Sequence, residues 1–192
     1  MAMAKKDTAQ IILKAAFAAI ARKGCGAVSL RDIAEEAGVV LSQLNYHHKN
    51  KETLFSAVLL HMRQEYLSNV ASQLSGCSSK REKISKLIRY NRHLLETNHA
   101  LYKAFLDFFN LALWSVSFKK EMIQFMEEIR RILEENLHEA ADLDPMAKQK
   151  SSSQAELILA VTFGVAMQYL MAPEKREILD GFDTLEQLML SN

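Results

Sequence analysis

Apolar residues recur along the chain at three- and four-residue intervals, the spacing of one helical face. The first such stripe is Ile12, Ala15, Ala16, Ala19 and Ile20, widened by Leu13 and Phe17. It predicts a helix from about Thr8 to Lys23, closed by Gly24. A second start is written at Ser29, an N-cap residue with Asp32 at the capping-box position and Val28 and Ile33 as a hydrophobic staple. Leu30, Ile33, Ala34 and Ala37 give this helix its apolar face, and Gly38 supplies a tight turn. A short third helix, Leu41 to His47, has Leu44 as its inward anchor. A fourth begins after Asn50 as N-cap and runs through Leu54, Phe55, Val58, Leu59 and Met62 towards Leu74.

Beyond a polar break at Ser75 to Glu82, the pattern predicts a helix ending near Asn98, with Ile84, Leu87, Ile88, Leu94 and Leu95 inward. An aromatic-rich stretch from Leu101 to Trp114 follows, then a helix from about Phe118 to Ala141. Pro145 and the serines up to Ser153 mark a loop. Gln154 to Met171 is apolar nearly all round, and Pro173 suits the first position of a last helix.

Two prolines and six glycines in 192 residues leave room for long helices, and β-branched runs are scarce. The expected fold class is all-α, with about nine helices. No run of ~18 consecutive apolar residues predicts a membrane span, and no signal-peptide pattern opens the chain. Cys25 and Cys77 make neither a disulfide framework nor a zinc cluster, so the expected location is the cytoplasm, with reduced thiols. Charge adds one feature. Residues 1–52 carry a net +3 and the remainder a net −2, which fits a local contact with a polyanion at the N-terminal end.

That basic end holds the stretch with the clearest chemistry, Ser29 to Glu52. Gln43 and Asn45 have the side chains that bond adenine in bidentate fashion, Arg31 can do the same to guanine, and Leu41 suits a thymine methyl. Tyr46, His47 and Lys51 suit phosphate, Lys51 at a helix N-terminus where free N–H groups attract anions. Ser29 and Ser42 complete the candidate DNA-binding set. The competing reading makes Gln43 and Asn45 ordinary surface residues and packs Tyr46 and His48 in a small core; for His48, packing is favoured.

The stretch resembles the TetR family of bacterial transcription regulators. The residues that carry the resemblance are Ile12-Leu13, Ala15-Ala16, Gly24, Ser29, Arg31-Asp32-Ile33-Ala34, Ala37-Gly38-Val39, Leu44, Tyr46-His47 and Lys49-Asn50-Lys51-Glu52-Thr53-Leu54. The resemblance implies a helix-turn-helix domain over residues 1–50 and a helical effector-binding and dimerisation domain over 51–192. It also implies a homodimeric repressor that a small ligand releases from a pseudo-palindromic operator. The chain departs from the family where Val40 replaces a Ser or Thr cap, Asn45 an aromatic, and His48 a Phe. Ser42 can cap a helix whose start is shifted by two residues.

The last two helices are the expected dimer surface, with Ala160, Gly164 and Ala166 for close approach. The expected effector is a hydrophobic small molecule, walled by Tyr90, Tyr102, Phe105, Phe109, Trp114, Met122, Phe125, Met126 and Met167. Asn91, His93, Asn110 or Gln168 would be its polar anchors. Core packing is the competing reading of that aromatic and Met pattern. No cofactor and no enzymatic activity are expected. Two Glu-x-x-His pairs, Glu96/His99 and Glu135/His138, have the spacing of di-iron helical bundles, which also need inward Glu residues from two further helices; His99 lies at a helix break and Glu135/His138 among the acids of a solvated face. A further alternative is a helical binding protein whose helix-turn-helix is only structural.

Overall fold

The computed structural model describes residues 2–137 and 145–191, and among them the secondary structure is helical without a strand. The helices are α1 (Ala2–Lys23), α2 (Leu30–Glu36), α3 (Leu41–His47), α4 (Lys51–Leu74) and α5 (Lys80–Thr97). They are followed by α6 (His99–Trp114), α7 (Val116–Leu137), α8 (Pro145–Met171) and α9 (Asp180–Leu190). A short 3-10 helix, Arg176–Leu179, leads into α9.

The chain divides into two compact units. Met1–Glu65 and Ala100–Ile123 form one; Tyr66–His99 and Gln124–Asn192 form the other. In the first, α1 packs on α2 and α2 on α3, around Ile12, Ala16, Ile20, Val28, Ile33 and Leu44. This unit also takes in α6 and the start of α7. There Phe108, fully buried, meets Phe55 edge-on at 6.1 Å and stacks against Phe118 at 6.2 Å. In the second, α5, α8 and α9 pack together over Ile88, Leu95, Ala155, Ile158, Phe182 and Leu185. Close approach of α9 to α8 requires Gly181, because a Cβ there would lie 2.8 Å from Val165 Cγ2. The seam between α5 and α9 carries the ion pairs Arg89–Glu186 at 2.8 Å and Arg92–Asp183 at 2.5 Å.

Three expectations fail on element boundaries. α1 begins at Ala2, six residues before Thr8. The expected loop up to Ser153 is helix from Pro145 onward, and Ser151 within it is buried. Proline needs no N–H in the first turn of a helix, so Pro145 opens α8 where it was read as a breaker. Conversely Pro173 lies in a turn after α8, and α9 starts at Asp180. Within α8, Gln149–Met171 has a mean hydropathy of 1.3 and is long and apolar enough, by length and composition only, to cross a membrane. One face of it nevertheless packs on α5 and α9.

Candidate nucleic-acid interface

Two seven-residue helices are too short to persist alone, so their ends and contacts must hold them. The N-terminus of α2 is secured as its sequence implies. The Asp32 backbone N–H donates to Ser29 Oγ at 3.2 Å, and the Ser29 backbone N–H donates to Asp32 Oδ2 at 2.8 Å. The Ser29 hydroxyl also donates to Asp32 Oδ2. Lys23 Nζ reaches the other carboxylate oxygen at 2.8 Å. Lys23 and then Ser29, hydrogen-bonding its charged form, hold the Asp32 carboxyl well below its ordinary range. Arg22 grips Glu36 with both guanidinium nitrogens, at 2.6 and 3.2 Å, and tethers α2 to α1 at its other end.

The turn that follows is closed by backbone alone. Gly38 adopts φ +65, its N–H donates to Glu35 O at 3.1 Å, and the Val39 N–H donates to Ala34 O at 2.9 Å. Val40 then stands at the N-cap of α3, exposed and without a side-chain cap. The helix starts at Leu41, with Gln43 and Leu44 N–H groups on Val40 O, so the shifted start with Ser42 as cap does not occur.

Leu44 is fully buried and fixes which way α3 faces. Ser42, Gln43, Asn45 and Tyr46 are consequently exposed, while Leu41 and His47 are half-buried. Arg31 is exposed on α2, with no ion pair among the described residues. Tyr46 and His47 meet edge-on at 5.5 Å. His48 is half-buried, and burial pushes its imidazole pKa down, with the neighbouring His47 adding to this. Packing is the placement that sequence favoured for it. Two of the candidate set are already engaged. Ser29 is committed to the cap, and Lys51 Nζ lies over the Phe55 ring, 5.2 Å from its centroid. The α4 N-terminus is capped as well, by Asn50 Oδ1 accepting from the Thr53 N–H at 2.8 Å.

The candidate effector residues divide between the units. Tyr102, Phe105 and Met122 are buried in the first, where Phe109 and Trp114 are exposed; Trp114 keeps 84% of its surface. In the second, Tyr90 and Phe125 both meet Tyr66, with ring centroids 6.3 and 6.2 Å away. Met126 is half-buried and Met167 exposed. Among the candidate anchors, Asn91 is buried and accepts the Tyr66 hydroxyl at 3.0 Å; its own amide donates to Leu87 O at 3.0 Å. His93, Asn110 and Gln168 are exposed. Tyr66 does not stand out in the sequence, because it continues the apolar stripe of α4 four residues after Met62. Burial raises its phenol pKa.

Of the di-iron pairs, Glu96 receives Arg176 at 2.6 Å and His99 lies edge-on to Tyr169; His138 lies outside the described residues. Among the described residues no three His, Cys, Asp or Glu side chains gather as a metal site would require.

Residues 12–58 match the family of bacterial regulatory proteins described as the tetR family. No curated protein matches the chain. Several solved structures share its fold. A transcriptional regulator from Rhodococcus sp. Rha1 superposes with a TM-score of 0.80 at 20% identity, over 95% of this chain and 96% of that one. FadR from Bacillus subtilis, in complex with stearoyl-CoA, gives 0.77 at 17% identity over 95% and 97%. A regulator from Saccharomonospora viridis, in complex with choline, gives 0.78 at 18% identity over 97% and 95%. Residues 12–58 thus match the tetR family of bacterial regulatory proteins, and along nearly its whole length the chain has the fold of these solved structures.

Proposed function

We propose that the protein is a ligand-responsive transcriptional regulator: a repressor that binds a pseudo-palindromic operator as a homodimer and is released by a hydrophobic small molecule. The observation that carries the reading is α3. Its one buried anchor, Leu44, leaves Ser42, Gln43, Asn45 and Tyr46 outward, as a recognition helix in the major groove needs. In this reading Arg31, Gln43 and Asn45 contact bases, Leu41 meets a thymine methyl, and Tyr46, His47 and Lys51 contact phosphate. Residues 1–50 read DNA, and 51–192 bind effector and partner.

The outward faces of α8 and α9 support the homodimer. Leu157, Met167, Met171 and Leu188 are exposed there, Met171 by 86%. An apolar surface of this kind on paired helices fits a second copy of the same surface across a two-fold axis. Ala160 and Gly164 remain available to it. Ala166 does not, because it is fully buried inside the chain.

For the effector, the Tyr66, Tyr90 and Phe125 group with its Asn91 anchor supplies apolar walls and one fixed polar contact. The stearoyl-CoA and choline complexes of the two similar regulators support small-molecule binding by this fold. α4 is one continuous helix from Lys51 to Leu74. A ligand that shifts α4 would change the spacing of the recognition helices in a dimer, and a coupling of about 1–3 kcal/mol changes operator affinity roughly 5- to 150-fold.

Selection of bound fragments from genomic DNA tests the reading. A symmetric site with half-sites about one helical turn apart is expected. No enrichment at moderate salt would overturn it.

A further inference from the structure

The turn between α1 and α2 is held by an acid 82 residues further along the chain. Asp107, on α6, accepts the backbone N–H of Cys25. Neighbouring amides of the turn find local partners: Gly24 N–H donates to Ile20 O at 2.8 Å and Val28 N–H to Gly24 O at 3.2 Å. The Cys25 thiol is buried, which raises its pKa, and the neighbouring Asp107 carboxylate raises it further. Gly24 beside it serves the backbone of the turn. It adopts φ +82, and a Cβ there would stand 3.4 Å from Asp107 Oδ2.

The residue after Asp107 is Phe108, the buried ring that joins Phe55 of α4 to Phe118 of α7. Beside it the Ser117 hydroxyl donates to Glu52 Oε1 at 2.5 Å. α6 and the start of α7 therefore grip the N-terminal helices at two places, the first turns of α4 and the α1–α2 turn. The first combines ring packing with the Ser117–Glu52 hydrogen bond. The second is a directional, charge-assisted hydrogen bond to the turn that precedes α2.

We propose that Asp107 is a positioning residue for DNA recognition. By holding Cys25 it lets α6 set the pose of α2 and α3, and a movement of α6 reaches the reading helices through that carboxylate. Four residues after Cys25, Ser29 begins α2, so a displaced turn moves the cap, then α2, then the Gly38 turn and α3. The proposal rests on the DNA-binding reading above.

The test uses the full-length protein, with Asp107→Ala and Asp107→Asn, and has two readouts. Hydrogen exchange at the Cys25 amide reports the grip. The ratio of operator affinity to affinity for unrelated duplex reports the pose. Asp107→Ala is expected to accelerate Cys25 exchange and to weaken operator binding by roughly 5- to 150-fold, with affinity for unrelated duplex unchanged. Asp107→Asn keeps a neutral acceptor and should fall between wild type and Ala in both. Should the Ala variant not fold, the Asn variant decides alone, and an unaltered operator preference overturns the proposal. So does a parallel fall in operator and unrelated-duplex affinity, which a merely structural role would give. A wild-type protein without operator preference sinks the DNA-binding reading itself. A wild type that prefers its operator, beside an Asp107→Ala variant that prefers it equally, sinks only the role of Asp107.

Discussion

The α2–α3 pair and the α8–α9 pair are both two-helix surfaces, built by opposite means. α2 and α3 have seven residues each, and three of their fourteen side chains are buried. Hydrogen bonds hold them in place: the Ser29–Asp32 cap, the Arg22–Glu36 tether and the backbone-closed Gly38 turn. What remains outward is polar. α8 alone has 27 residues, its inward face is filled by Ile158, Leu159, Val165 and Tyr169, and what remains outward includes Leu157, Met167 and Met171. A polar outward face can exchange water for base edges and phosphates, whereas an apolar one gains only by meeting another apolar face. The two surfaces therefore select different kinds of partner, and the difference can be tested at each end.

The largest effect is expected at the one buried side chain of α3. Leu44→Ala removes the anchor of α3 and should cost about 2–5 kcal/mol, seen as a lowered unfolding midpoint together with lost operator binding. Preserved operator affinity would mean that α3 is oriented by something other than Leu44. At the other surface, Leu157→Glu with Met171→Glu places charge on an apolar face without disturbing the buried side. The dimer dissociation constant should rise about 100-fold, or ~2.7 kcal/mol, by sedimentation. An unchanged constant would remove the α8–α9 face as the dimer surface.

A smaller effect separates roles within the reading face. Arg31→Ala should cost about 1–3 kcal/mol and relax preference at one operator position; Lys51→Ala should weaken all sequences alike and lower the salt slope by about 1. Equal losses without altered preference would merge the two roles. The smallest effect concerns His48. Its folded pKa lies below its unfolded value, so the unfolded chain takes up the proton first as pH falls. Stability from this residue is complete above the unfolded value near 6.5 and is lost as pH drops towards the lower folded value. His48→Phe should therefore lose less thermal stability than wild type between about pH 7.5 and 5.5. An identical slope would show that other groups govern that window.

Legibility followed the range of the interaction concerned. The Ser29 cap, the Asp32 acid, the Gly38 turn, the Asn50 cap and the bounds of α3 were readable because each is settled within three or four residues. The prolines show where local rules run out. Pro145 and Pro173 each satisfy the preference for a first helical turn; one opens α8 and the other lies in a turn, and the residues alone do not separate the cases. The aromatic stretch was legible as a cluster of rings, either walls or core, but the residues did not say which rings are buried. Phe108 is sealed in a core while Trp114, six residues on, is the most open aromatic side chain described.

Sequence by itself determined the helices, their caps, the family resemblance and the polar character of the α3 face, since capping, turn formation and amphipathic spacing act along the chain. Only the tertiary structure decided that Ala166 faces inward, that Tyr66 meets Asn91, and that Asp107 closes on Cys25. Each of these depends on which face of one helix meets another. That choice is made by packing across tens of residues, which no local pattern encodes.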